Sequence, residues 1–325
     1  MVELTSADKK ILGLIEYNPR ITFKELAKAC HLSKDAMKYR VARLEKEKII
    51  LGYSSFIDYK KLGNQSYKLY LKINGTQEQK EKFRDYLRKQ KSVFAIFDLA
   101  GTWNIGIALF AKTHQQFNEI ENQILENFGD IITERRFCSM IDAEIYHKDF
   151  FDSNENNLII KEFSFWGEIE NNKLDELDKK IIKLMHANSR ISLVDLAEDL
   201  KLSIDAIKNR INRLKKNKIM DIYKTNINYE LLGFDQYKLL IYPRIFSNKI
   251  EKELINFLKS TNSCIDIVRT IGPWKIEAEF CVKKSQEVEE IISKINEKFK
   301  GNVLDFELSV MRNQEMFACK DLLLD

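Results

Sequence analysis

The chain is poor in the residues that build covalent, metal-bound or redox scaffolds. Its five cysteines, Cys30, Cys138, Cys264, Cys281 and Cys319, are odd in number and show no Cys-x-x-Cys spacing. That argues against a disulfide framework, a zinc knuckle or a thioredoxin-like pair, and fits a reducing cytoplasm. No apolar run approaches the roughly 18 residues needed to span a bilayer. Residues 1–10 are polar and lack the basic-then-apolar pattern of a signal peptide, so neither secretion nor membrane insertion is expected. Histidine is scarce, with only His31, His114, His147 and His186. No phosphate-cradling glycine loop, Ser/His/Asp pattern or Cys/His pair points to a reaction. His147-x-Asp149-x-x-Asp152 could be drawn as a metal cluster, but an exposed polar tail is the simpler reading. No metal, no cofactor and no enzymatic activity are expected. A large charge excess is lacking too: 53 basic residues face 49 acidic ones, a net charge of +4. A nucleic-acid role must therefore come from where the charge sits.

What is present is a folded composition, 44% hydrophobic and 31% charged over 325 residues, enough for two or more domains. The chain is also a repeat. Residues 4–69 fall on 174–239 without a gap, with 30 of 66 positions identical. Asp8 matches Asp178, Asn18 Asn188, Arg20 Arg190, Leu32-Ser33 Leu202-Ser203, Arg40 Arg210 and Arg43 Arg213. After a one-residue shift Gly101-Thr102-Trp103 falls on Gly272-Pro273-Trp274, and Phe128 on Phe299. Units of this length are duplicated domains, too long for a solenoid. Between them the polar segments 153–157 and 168–173, interrupted by Phe163, Phe165 and Trp166, predict a linker docked in part.

Within each unit the apolar period sets the elements. Ile11, Leu12, Leu14 and Ile15 predict a first helix over 6–18, with Ser6 as cap and Asp8 near the positive end of its dipole. Thr22 and Glu25 form a capping-box pair before a second helix, and Ser33 caps a third over 34–47, whose inner face is Ala36-Met37, Val41 and Leu44. In the second copy Ser192 and Ser203 cap, and Ala206-Ile207, Ile211 and Leu214 face inward. Three short helices with a tight turn before the last predict a helix-turn-helix, and 49–57 and 219–227 read as wing-like strands. The remainder, beginning with alternating Tyr67, Leu69, Leu71 and Ile73, predicts strand-helix-strand-strand-helix-strand, the ferredoxin-like βαββαβ order, in each copy. The expected class is α+β: winged helix-turn-helix domains at 1–64 and 174–234 alternating with ferredoxin-like domains at 65–140 and 235–325, with a linker at 141–173.

The positive charge is concentrated on the heads. Residues 33–48 carry six basic and three acidic side chains, and 203–218 carry six basic and one acidic. Lys38, Arg40, Arg43 and Lys46, and their counterparts Lys208, Arg210, Arg213 and Lys216, lie away from the apolar stripe, where they could meet phosphates and base edges in a major groove. An isolated charged helix is more often merely solvated; repetition after a capped turn favours duplex DNA as the partner. With Ser33, Lys34, Tyr39, Ser203 and Asn209 these form the expected DNA-binding set. Lys34 against Ile204, Tyr39 against Asn209 and Glu45 against Lys215 are divergences on this helix, and Asn209 could bond an adenine edge bidentately as Tyr39 could not.

The three-helix head with Leu32-Ser33 leading to Arg40 and Leu44, Asn18-x-Arg20, and the run Lys48-Ile49-Ile50-Leu51-Gly52-Tyr53, followed by a ferredoxin-like domain, resembles the Lrp/AsnC family of transcription regulators. The likeness covers nearly the whole chain except about 140–173 and the extreme C-terminus. It implies dimerisation through the ferredoxin-like sheets and an amino-acid effector near a Gly-x-Tyr/Trp-Asp turn. Gly101, Trp103 and Asn104, and Gly272, Trp274 and Lys275, hold that turn here without its aspartate in either copy, so an effector is left open and a free amino acid is not the expected one. An ordinary member has one head per chain; two here leave an intrachain pseudo-dimer or a homo-oligomer. Fused two-unit chains of this architecture also resemble sirohaem decarboxylases, but none of the four histidines lies in the sheet-edge motif of that chemistry.

Overall fold

The computed structural model describes residues 4–148, 150–151, 162–165, 167–245 and 247–317. Copy one runs α1 (Ser6–Ile15), α2 (Phe23–Cys30), α3 (Lys34–Lys46), β1 (Ile50–Ser55), β2 (Gln65–Ile73), α4 (Gln77–Lys89), β3 (Val93–Gly101), β4 (Ile105–Ala111), α5 (His114–Phe128) and β5 (Ile132–Tyr146). After β6 (Glu162–Phe165) copy two runs α6 (Glu176–Ala187), α7 (Leu193–Leu200), α8 (Ile204–Lys216), β7 (Tyr223–Ile227), β8 (Asp235–Pro243), α9 (Asn248–Ser260), β9 (Cys264–Ile271), β10 (Ile276–Val282), α10 (Ser285–Lys298) and β11 (Val303–Met316). The chain sorts into two compact units by kind and not by copy: α1–α3, β1, α6–α8 and β7 in one, both ferredoxin-like halves in the other.

In the head unit the apolar period is realised as read. Ile11, Leu12, Leu14 and Ile15 are buried on α1, and Met37, Val41 and Leu44 on α3. The cap of α1 is Thr5 and not Ser6: the Thr5 side chain accepts from the Asp8 N–H while Asp8 reaches back to the Thr5 N–H, which fixes the helix start one residue earlier. Thr22 with Glu25, Ser33, Ser192 and Ser203 cap as expected. The turn before each third helix passes through a left-handed residue, His31 at φ 54° and Lys201 at φ 54°. The wing-like segments supply one strand each. β1 and β7 pair with one another, Tyr53 opposite Thr225 and Ser55 opposite Tyr223, so a single ribbon serves both heads. Backbone bonds from Phe56 to Ile222, Asp58 to Ile219, Asn228 to Ile49 and Ser189 to Tyr53 extend the junction.

In the sheet unit each half has the strand order β5-β2-β4-β3 or β11-β8-β10-β9, and the halves join at both edges, β3 on β11 and β9 on β5. Because β5 also pairs with β2, the eight strands close into a ring. The long strands β5 and β11 make the corners, each changing partner near a register shift, at Met140/Asp142 and Met311/Asn313. Strand alternation divides β2: Tyr67, Leu69, Leu71 and Ile73 join Phe83, Leu87, Phe117 and Ile124 of α4 and α5 in the core, while Lys68 and Tyr70 lie on the opposite face.

The expected linker at 141–173 is partly strand, since β5 continues to Tyr146 and β6 follows. Phe163 is docked, with ring centroids 4.9 Å from Tyr17 and 6.4 Å from Phe56. His147 is not in an exposed tail: its side chain is buried with Nδ1 2.6 Å from Glu16 Oε2. Asp149, Asp152, Trp166 and residues 153–157 lie outside the described residues. Among those described, no helix is long and apolar enough to cross a membrane.

Gly101 marks the tightest joint of the ring. Its φ of +133° suits glycine alone, and a Cβ there would meet the Leu308 carbonyl oxygen at 2.7 Å. At Gly301 the φ is also positive, +83°, but a Cβ would meet nothing within 4 Å. Gly301→Ala should therefore cost only backbone strain, about 1–2 kcal/mol, and Gly101→Ala clearly more. Denaturant titration of the two variants checks the order.

Candidate nucleic-acid interface

Burial of Met37, Val41 and Leu44 on α3 leaves Lys34, Lys38, Tyr39 and Lys46 in solvent, and burial of Ile207, Ile211 and Leu214 on α8 leaves Lys208, Asn209 and Lys216 there. Tyr39 is 71% exposed, far beyond what a packed aromatic shows. Ser33 and Ser203 stand at the N-termini of the two helices, each accepting a backbone N–H, from Ala36 at 3.1 Å and Ala206 at 3.2 Å.

The four arginines expected beside the lysines also bond carboxylates of their own heads. Arg40 Nη1 and Arg43 Nη2 donate to opposite oxygens of Asp8, at 2.9 and 2.6 Å, and Asp8 is fully buried. In copy two Arg210 bonds Asp175 and Asp178, and Arg213 bonds Asp178. Burial alone would raise the Asp8 carboxyl, but hydrogen bonds from Thr5, Arg43 and Arg40 outweigh it and hold the group below the usual carboxylate range. Stripping the arginines from Asp8 would leave an uncompensated buried charge, at about 3–5 kcal/mol, more than a surface phosphate contact returns. Arg40, Arg43, Arg210 and Arg213 thus clamp each third helix onto the first helix of its head. The lysines, Tyr39 and Asn209 stay exposed on the outer face of the two helices.

A cationic cleft was missed in the sequence. Arg20, Lys24, Lys34, Lys38 and Arg190 converge on an open cleft of about 400 Å³ within the head unit. Arg20 crosses the duplication to donate to the Ser189 and Ile191 carbonyls, and Arg190 crosses it in return to lie over Phe23 and Tyr53, 4.8 and 5.0 Å from their centroids. The counterparts of Lys24 and Lys34 are Val194 and Ile204, 49% and 45% exposed. The first head is basic at this point and the second apolar. Glu45 and Lys215, by contrast, turn back onto their own heads, Glu45 accepting from the Tyr53 hydroxyl and Lys215 lying 5.2 Å over Tyr223.

Of the residues expected near an effector, Gly101, Trp103 and Gly272 meet the other copy at the joints of the strand ring, and Asn104, Trp274 and Lys275 bond within their own copy. Trp103 and Trp274 are buried, their indole N–H groups donating to Glu307 at 2.7 Å and Glu277 at 3.0 Å. Asn104 ties its turn to Ile73 and Leu71, and a Cβ on Gly272 would meet Cys138 Cβ at 2.9 Å. Lys275 is half-buried, 4.0 Å from Glu251.

Residues 4–50 match the family of winged helix-turn-helix DNA-binding domains, and 174–215 the AsnC-type helix-turn-helix domain. The HTH-type transcriptional regulator LrpA of Pyrococcus abyssi is 31% identical over 140 residues, 42% of this chain and 94% of that protein. An uncharacterised HTH-type transcriptional regulator of the same organism is 40% identical over 62 residues, 19% of this chain, and the match spans only 42% of that relative. Among solved structures, the siroheme decarboxylase NirDL aligns over 98% of this chain and 97% of its own, with a TM-score of 0.64 at 10% identity, a likeness of fold alone.

Asp8→Asn should destabilise the protein by a few kcal/mol at neutral pH. Because the folded-state pKa of Asp8 is lowered, its contribution is complete above the unfolded value of 3.8 and is lost as pH falls further. Urea midpoints of parent and Asp8→Asn, measured from pH 7 downward, should stay apart to about pH 5 and converge below about pH 4.

Proposed function

The chain belongs to the Lrp/AsnC family of transcription regulators, and from that premise we propose that it binds duplex DNA with α3 and α8 of one molecule together. One chain then presents the two recognition helices that single-headed members assemble from two. The observation that carries this reading is the joining of two serine-capped, lysine-faced third helices in one compact unit through the β1–β7 ribbon. Ser33, Lys34, Lys38, Tyr39 and Lys46 face one half-site, and Ser203, Lys208, Asn209 and Lys216 the other. Lysines position on phosphates while Tyr39 and Asn209 discriminate bases. The role is regulatory and not enzymatic, set in the cytoplasm, with DNA as partner. The two Gly-x-Trp turns serve as joints of the ring and not as a free-amino-acid site, because both tryptophans are buried and their indole donors are already bonded.

Selection from random duplexes followed by anisotropy titration tests the reading. With six or more phosphates neutralised, affinity should fall by roughly 10³ or more between 50 and 200 mM salt. Lys38→Ala and Lys208→Ala should each lower the salt slope by about one. No retention of any duplex at low salt, or turnover of sirohaem with release of carbon dioxide, would sink the proposal.

The heads should also differ in what they read. Exchanging Tyr39 and Asn209 should change base preference at both half-sites with little change in overall affinity, read by repeating the selection. An unaltered consensus would place these two side chains away from the bases.

A further inference from the structure

Inside the ring the two copies carry different charges at equivalent places. Position 136 on β5 and position 307 on β11 are related by the duplication, since Arg136 lies opposite Tyr70 of β2 and Glu307 opposite Leu240 of β8. One is arginine and the other glutamate, and they bond each other, Nη1 to Oε1 at 2.6 Å. Arg136 also donates to the Tyr242 hydroxyl at 2.8 Å, and Trp103 donates to the other Glu307 oxygen.

A second set of charges repeats the asymmetry. Lys68 and Lys238 are equivalent and both buried. The acids that answer them come from copy two only: Glu277 and Glu279 on β10 and Asp266 on β9. Their counterparts in copy one are Gly106, Ala108 and Ala95. Lys68 reaches across to Glu277, which also accepts from Tyr70 and Trp274 at 3.0 Å each, and Lys238 bonds Glu279. Burial and the charge of Glu279 push the Asp266 carboxyl up to about 7. The two lysines are thus answered by three acids of one copy, of which Glu277, against its burial, is held below the usual carboxylate range by Lys68 and Lys238.

We propose that Arg136, Glu307 and the Lys68–Lys238–Glu277–Glu279–Asp266 cluster form a pairing code that commits a copy-one sheet to a copy-two sheet and rejects pairing of like with like. Two copy-one sheets would set Arg136 against Arg136 and enclose two lysines with no acid at positions 95, 106 or 108. Two copy-two sheets would set Glu307 against Glu307 and enclose six carboxyl groups around two lysines. Either arrangement buries unmatched charge at the Lys68, Lys238 and Glu277 positions and sets like charges together at the partly exposed position 136 or at 307, so specificity comes from the repulsion in the wrong pairs as much as from the bonds in the right one. The code concerns which sheets associate, and it holds whether or not the heads read DNA.

Charge reversal in the full chain tests it. Arg136→Glu and Glu307→Arg should each lower the thermal midpoint by several degrees. The double reversal should recover at least half of the loss, the remainder reflecting the bonds from Tyr242 and Trp103. Arg136→Gln and Glu307→Gln complete a milder cycle should a reversal prevent folding, and the two losses should be less than additive. A double reversal no more stable than the weaker single variant, together with additive glutamine losses, would overturn the code. In parallel, two differently tagged parent chains produced together should not co-purify, or should do so only with cross-links joining β5 of one chain to β11 of the other. Co-purified chains linked β5 to β5 or β11 to β11 would overturn it. The reversals leave the lysines of α3 and α8 untouched, so loss of DNA binding in the parent would count against the function and not against the pairing.

Discussion

A β-strand with a bare edge carries backbone donors and acceptors that something must satisfy, and in both units of this chain the other copy satisfies them. In the heads, β1 finds its partner in β7. In the sheets, β3 is closed by β11 and β9 by β5, leaving no open edge in the eight-stranded ring. Neither copy is therefore complete by itself. The duplication joins two halves of one object, and the grouping of like with like follows from strand pairing more than from order along the chain.

Much of this was legible in the sequence because the signals are local. Apolar residues three and four apart on α1 and α3, alternation on β2, and serine or threonine at helix starts each report on a few neighbouring residues, and they placed the elements. The mistaken cap shows how close the local reading came: Thr5 stands three residues before Asp8, the spacing of a capping box, while Ser6 does not. The bonds from the arginines to buried aspartates were hidden for a different reason. A cation on the outer side of a helix is equally suited to solvent, phosphate or a carboxylate from another helix, and only the fold brings Asp8 and Asp178 beneath them. The repetition of an acid among the apolar residues of both first helices was the available clue.

The inner face of the ring was invisible for a non-local reason. Lys68 and Tyr70 alternate with Tyr67, Leu69 and Leu71, and by itself that pattern describes a strand with one face in water. The polar face is buried because a second sheet, some 200 residues away in sequence, covers it. No window along β2 contains that information. It lies in the comparison of equivalent positions, where Gly106, Ala108 and Ala95 in one copy stand against Glu277, Glu279 and Asp266 in the other.

The cleft between the heads carries the same lesson to the outer surface. Lys24 and Lys34 are presented where copy two presents Val194 and Ile204. A reader made of two identical halves fits its site equally well when turned end for end, so its attachment has no direction. A chain with a cationic shoulder at one end and an apolar one at the other has a front and a back. Whatever such a molecule lies along, it lies along with a polarity, and anything recruited beside it meets one particular face.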